Sequence, residues 1–295
     1  MKKIIYILIP TLFFITSCDD ENNNDAAYGN FEAIEVIVSA QANGQIISFT
    51  PEEGVELKNE QLVGLIDTTV LHLNKKLLIQ QKVTIASQFD NLSSEIEVQK
   101  QQLKNAKINQ QRISNLYKEG AATQKQLDDI NGTVDLIKMQ IAAINTKRKS
   151  ISDQIKGVEI QTEQINEAIS KCNIINPVTG TVLVKYAEQG EVAGIGKPLY
   201  KIADLTQMKL KAYISGAQLP NVKIGQQVDV SFDSSMDENN TVVGTVSWIS
   251  QTAEFTPKTI QTKQERVNLV YAIKVTVKNN GAIKIGMPGG VKFND

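Results

Sequence analysis

A short motif occurs twice in this chain, and its copies are set about 136 residues apart. The first copy is Asn43-Gly44-Gln45-Ile46-Ile47 with Gly54, then Leu62-Val63-Gly64-Leu65-Ile66. The second is Thr179-Gly180-Thr181-Val182-Leu183 with Gly190, then Pro198-Leu199-Tyr200-Lys201-Ile202. In each copy a glycine is followed ten residues later by another, and about eight further on by an apolar strand. Two copies of one half-motif predict two halves of a single small β domain. Whatever lies between them is then an insertion into that domain.

The insertion reads as helix. From about Thr69 to Lys118 there is neither Gly nor Pro, and from Thr123 to Lys171 only Gly132 and Gly157 interrupt. Apolar residues recur at alternating steps of three and four. On the first arm these are Ile85, Phe89, Leu92, Ile96, Leu103, Ala106 and Ile113, with Gln99 and Gln110 in register and Tyr117 as the last seam position. On the second arm Leu127, Ile130, Val134, Ile137, Ile141, Ile144, Ile151, Ile155, Val158, Ile165 and Ile169 keep the same spacing, with Arg148 and Thr162 at two seam positions. Only that period holds one stripe against a partner helix, so the pattern predicts a coiled-coil seam. Gly120 can supply the left-handed residue that ends the first helix. Thr123 and Gln126 have the spacing of a capping box that starts the second. Two arms of about 50 residues predict an antiparallel hairpin reaching roughly 75 Å at 1.5 Å per residue.

The N-terminus has the form of an export signal. Lys2 and Lys3 precede an apolar run from Ile4 to Phe14, which is too short to span a bilayer. Ile15-Thr16-Ser17-Cys18 follows, and then a polar stretch, Asp19 to Asn24, suited to a tether. The tetrad resembles a bacterial lipobox, in which the cysteine becomes the acylated first residue; an ordinary signal peptide containing a cysteine is the alternative. Loss of residues 1–17 removes Lys2 and Lys3 from the 31 basic residues and leaves 29 against 32 acidic ones. With Cys18 acylated, Cys172 is the remaining thiol, so no intramolecular disulfide is expected.

After Asp204, Met208, Leu210, Ala212 and Ile214 alternate with Lys209, Lys211 and Tyr213. Val228, Val230 and Phe232 follow, then Val242 to Ile249, then Leu269 to Val277. Period-two alternation over four or more strands predicts a small β barrel. A short helix is expected around Gln218 to Lys223, and a polar loop or edge hairpin over Gln251 to Arg266.

Composition narrows the chemistry. A formal net charge of -1 gives no basic field for nucleic acid. His72 is the only histidine, which excludes histidine-based triads and multi-histidine metal sites. Asp128-Asp129 and Glu52-Glu53 have no apolar pocket around them and read as solvated charges. Gly194-Ile195-Gly196 lacks the strand-to-helix setting of a phosphate loop. No catalytic residue, metal site or cofactor is predicted.

Asn176-Pro177-Val178-Thr179-Gly180-Thr181-Val182, with Gly190-Glu191-Val192 and Gly196-Lys197-Pro198-Leu199, resembles a biotinyl/lipoyl domain. In carrier domains a lysine at the turn between halves bears the cofactor. Here the hairpin replaces that turn, so neither lipoate nor biotin is expected. The whole order resembles the periplasmic adaptor or membrane-fusion proteins of the HlyD kind. Glu254-Phe255-Thr256-Pro257-Lys258-Thr259-Ile260-Gln261-Thr262, Glu265 to Tyr271 and Gly286-Met287-Pro288-Gly289 resemble the barrel of the subgroup that partners ABC exporters.

The resemblance implies an α+β fold: a split lipoyl-like β sandwich, an inserted antiparallel coiled-coil hairpin and a small β barrel. The expected partition is a signal peptide over 1–17, acylated Cys18 and tether over 18–30, a first half-motif over 31–68, the hairpin over 69–172, a second half-motif over 173–204 and the barrel over 205–295. It further implies a periplasmic protein held by lipid to the inner membrane and assembled as a homo-oligomer, six copies by the family pattern. Its partners would be an inner-membrane ABC permease and ATPase and a TolC-like outer-membrane channel. An adaptor for a proton-driven RND pump, a structural coiled-coil lipoprotein and an acyl or biotin carrier are the alternatives. Arg112, Leu116 and Thr123 match the family's spacing of channel-docking residues at the hairpin tip, with threonine in place of the usual serine. Thr123 is equally accounted for as an N-cap, Arg112 as a solvated helix residue and Leu116 as apolar filler.

Overall fold

In the computed structural model, which describes residues 27–235, 238–255 and 269–293, the two half-motifs are folded into one another. Strand β1 (Ala27–Glu32) belongs to a separate unit. The first half supplies β2 (Glu35–Ser39), β3 (Gly44–Phe49), β4 (Glu56–Leu57) and β5 (Leu62–Ile66). The second supplies β6 (Asn173–Ile175), β7 (Gly180–Lys185), β8 (Val192–Ala193) and β9 (Pro198–Ala203). One sheet runs β2-β9-β7-β4 and the other β6-β5-β3-β8. In each sheet the central pair comes from one half and both edges from the other.

The offset of 136 residues holds strand by strand: Gly44 to Gly180, Glu56 to Val192, Leu62 to Pro198. Hydrogen bonds obey it too. Ile46 N–H donates to Glu191 O at 2.9 Å, and Val182 N–H to Val55 O at 3.0 Å. Asn43 Oδ1 accepts from Ile195 N–H at 2.9 Å, and Thr179 Oγ1 accepts from Asn59 N–H at 3.0 Å. The domain is therefore a pseudo-twofold sandwich around Val38, Ile46, Phe49, Leu57, Val63, Ile66, Val182, Leu199, Tyr200 and Ile202.

Two departures from that symmetry carry consequences. Gly196 takes φ +84°, but its counterpart is Glu60 at φ +61°, the one non-glycine residue with positive φ among those described. A side chain there costs about 1 kcal/mol relative to glycine. Glu60→Gly is expected to stabilise this unit by roughly 0.5 kcal/mol, after the greater chain entropy of glycine is offset, read as a raised denaturant midpoint. The second departure is Asn176, fully buried where the first half has Ala40. Its amide donates to Lys58 O at 2.8 Å and Val178 O at 2.6 Å, and its Oδ1 accepts from the Tyr200 hydroxyl at 3.0 Å. Burial raises the Tyr200 phenol's pKa, which keeps it a donor.

Among the described residues, the other unit comprises those from Ala27 to Ile34 and those from Asp204 onward. Its further strands are β10 (Gln207–Ser215), β11 (Gln227–Ser235), β12 (Glu238–Ile249), β13 (Glu254–Phe255), β14 (Leu269–Lys278) and β15 (Pro288–Phe293). Six run in the order β10-β1-β15-β11-β12-β14, and a β10–β14 pairing closes them into a barrel, with β13 beside β14. Alternation places Phe31, Met208, Leu210, Ile214, Val228, Val230, Val246, Ile273, Val275 and Val291 inside. A single 3-10 turn, Leu219–Asn221, lies where the short helix is expected.

Strand β1 corrects the expected partition. The expected partition puts residues 27–30 in the tether and 31–32 in the first half-motif, yet each pairs with β10, β15 or both strands of the barrel. The physical reason is a requirement for closure. Gly29 lies so close to β10 that a Cβ would meet Lys211 O at 1.8 Å, and Phe31 fills the barrel interior. Cys18, the signal segment and most of the expected Gln251–Arg266 loop lie outside the described residues.

Candidate functional site

The inserted segment forms α1 (Thr69–Lys118) and α2 (Gln124–Ser170). At 1.5 Å per residue they reach about 75 Å and 70 Å. Every seam residue from Ile85 to Ile113 and from Leu127 to Ile169 is half or fully buried, with Ile96, Val134, Ile137, Ile144 and Val158 the most enclosed. Polar seam positions find partners across or along the arms. Gln110 Nε2 donates to Asn131 Oδ1 at 2.8 Å, and the Arg148 guanidinium lies 5.6 Å from the centre of the Phe89 ring. Lys82 and Glu159 join the arms near their base at 2.8 Å. Gln99 differs, because its buried Oε1 has no hydrogen-bond partner. Asp67 Oδ1 accepts from the Thr69 N–H at 2.8 Å and its hydroxyl at 2.6 Å, serving the start of α1 in place of a side-chain cap at Thr68. Those bonds, the hydroxyl first, hold the Asp67 carboxyl below its ordinary pKa.

At the far end, the five residues 119–123 reverse the chain. Gly120 has φ +77°. Its N–H donates to Tyr117 O at 3.0 Å, and Ala121 N–H donates to Leu116 O at 2.8 Å. This pair of bonds is a Schellman motif, which satisfies the last carbonyls of α1. Thr123 then opens α2 from extended backbone. Thr123 Oγ1 accepts from Gln126 N–H at 3.3 Å, and Gln126 Oε1 accepts from Thr123 N–H at 2.8 Å, a reciprocal capping box. Thr123→Ala is expected to loosen the first turn of α2 by about 1 kcal/mol, measured as faster amide exchange at Gln126 and Leu127, while serine at that position preserves protection.

Arg112 and Leu116 stand four residues apart, on one face of the last turns of α1. Arg112 is exposed and makes no ion pair or side-chain hydrogen bond among the described residues. Leu116 is half-buried. The seam shifts here: Tyr117, expected as its last position, is 39% exposed, because tightening into the Schellman turn brings Leu116 inward in its stead. No helix among the described residues is long and apolar enough to cross a membrane.

No family model matches the chain. Among curated proteins it is similar to the UPF0194 membrane protein of Enterobacter sp. (strain 638), 24% identical over 331 aligned positions that span all of this chain and 98% of that one. The UPF0194 membrane protein YbhG of Salmonella arizonae is 24% identical, over 91% of this chain and 88% of its own. Among solved structures, MacA from Actinobacillus actinomycetemcomitans superposes with a TM-score of 0.56 at 23% identity, covering 90% of this chain and 76% of that one. The membrane fusion protein Spr0693 from Streptococcus pneumoniae R6 does so with a TM-score of 0.53 at 14% identity, covering 91% and 98%.

The fold is that of MacA and of the membrane fusion protein Spr0693.

Within that membrane-fusion fold the three expected docking residues gather at one end of the hairpin, but they differ in what the fold demands of them. Thr123 is used by the turn through its side chain in the capping box, whereas Leu116 lends the Schellman bond only its backbone carbonyl. Arg112 has no such duty. The barrel segment Gly286-Met287-Pro288-Gly289 leads into β15, where Gly289 packs against Phe31 so closely that a Cβ would stand 2.6 Å from its ring. Of the other barrel segment, residues 256–268 lie outside the described residues.

Proposed function

We propose that this chain is a non-catalytic periplasmic adaptor that links an inner-membrane ABC transporter to a TolC-like outer-membrane channel. The observation that carries the proposal is the hairpin: two arms of 50 and 47 residues packed on a single seam, inserted into a rigid interleaved β base. Two helices sharing one stripe bridge distance and leave no interior for chemistry. Cys18 would tie the chain by lipid to the inner membrane, and several copies, six by the family pattern, would ring a conduit. No bound cofactor enters this role.

Arg112 provides the test, because it is exposed and structurally unencumbered. Arg112→Glu is expected to leave helicity and thermal midpoint unchanged. It should abolish co-purification with the outer-membrane channel and reduce export at least tenfold. Wild-type export by this variant would remove Arg112 from the docking surface. Co-purification of the unmodified protein with a proton-driven pump instead of an ABC permease would assign it to RND transport.

A further inference from the structure

On the outer wall of the barrel, Lys209 and Lys211 of β10 and Lys274 of β14 stand beside Ser247 and Trp248 of β12. They line a cleft of about 360 Å³. The strand register makes Lys211 and Lys274 direct cross-strand partners, and Trp248 is the partner of Lys274 on its other side. Like charges placed directly opposite one another on a sheet destabilise it.

The neighbouring acids relieve part of this: behind the Tyr213 hydroxyl, Glu254 and Glu32 both favour the charged form of Lys211, and Glu32 is the register partner of Lys209. Lys211 meets Glu254 only at 3.6 Å and Lys274 meets Glu32 only at 3.9 Å. Such long, solvent-accessible pairs contribute little. Lys209 makes no ion pair among the described residues. The ammonium of Lys211 lies 5.4 Å from the Tyr213 ring centre and that of Lys274 5.7 Å from the Trp248 ring centre. Aromatic faces thus hold the two charges in place without neutralising them.

We propose that this cleft binds a phosphate-class anion between Lys209, Lys211 and Lys274. An ammonium group is a compact point charge with three donors, and three lysines lining one cleft suit a compact oxyanion. A ligand there would turn an internal repulsion into a shared attraction, and Glu32 and Glu254 would lose only long contacts when it enters. The same chemistry is offered by a free phosphate compound and by a phospholipid headgroup. The inference does not depend on docking at the hairpin tip.

The test uses the purified protein and its sole tryptophan, Trp248, as reporter of barrel unfolding. Inorganic phosphate is expected to raise the thermal midpoint by about 3 °C over chloride at equal ionic strength. Lys209→Gln, which breaks no ion pair, should keep the midpoint in chloride and lose that rise. In parallel, acetylation rates of Lys209, Lys211 and Lys274 are compared with phosphatidylglycerol and phosphatidylcholine vesicles. Tenfold protection by phosphatidylglycerol alone identifies the lipid headgroup as the source, and protection by free phosphate alone identifies a soluble one. Equal midpoints together with equal acetylation in every condition overturn the proposal.

Discussion

Gly29→Ala is expected to cost the barrel about 4 kcal/mol, the upper range for forcing atoms into filled space. The obstacle is backbone: the new Cβ would stand 1.8 Å from Lys211 O and 2.6 Å from the Ala212 Cα. Rotamer changes cannot relieve such a contact, so β1 must leave β10. Because β1 lies between β10 and β15, its departure opens the closed sheet and exposes Phe31. The measurement is denaturant unfolding followed by Trp248 fluorescence. Alanine at Gly225, which faces open space but has φ +88°, is the control and should cost only about 1 kcal/mol. Equal transitions for the Gly29 variant and the unmodified protein would mean that β1 is dispensable for closure.

Asn176→Leu is expected to destabilise the sandwich by about 3 kcal/mol, since it removes three hydrogen bonds made at a fully buried site. Lys58 O and Val178 O lose their donor and the Tyr200 hydroxyl loses its acceptor. Tyr200→Phe alone removes one bond and should cost about 1 kcal/mol. Applied on top of Asn176→Leu, it should cost almost nothing, because the orphaned hydroxyl is gone. Amide exchange on β7 and β9 reads both effects. Additive losses would show that the two side chains act independently.

The hairpin was legible because its signal is local and repeated: a seam of three and four steps reports on helix and partner together. The capping box at Thr123 was legible for the same reason. The tip was less so. Which of Leu116 and Tyr117 turns inward depends on the Schellman bonds, which tighten the last turn against the heptad count. The duplicated glycine motif announced one split domain, but the exchange of edge strands between halves is a matter of long-range pairing and left no local mark. Strand β1 was missed outright. Ala27 to Glu32 is six residues long, and its partners Tyr213 and Gly290 stand far along the chain. The lysine cleft was hidden likewise: Lys211 and Lys274 each read as an outward residue of an alternating strand, and only register brings them face to face.

The exchanged edges also dictate an order of events during folding. Neither central strand pair can acquire its flanking strands until both halves have been synthesised, with about a hundred intervening residues. Closing a loop of that length as random coil slows the search for contacts. The hairpin's contacts are local around its tip, so the two arms can zip downward from Gly120 and deliver β5 and β6 side by side. The arm that reaches outward in the finished protein is thus expected to serve first as the clasp that brings its own base together, and variants that weaken its seam should refold the sandwich more slowly.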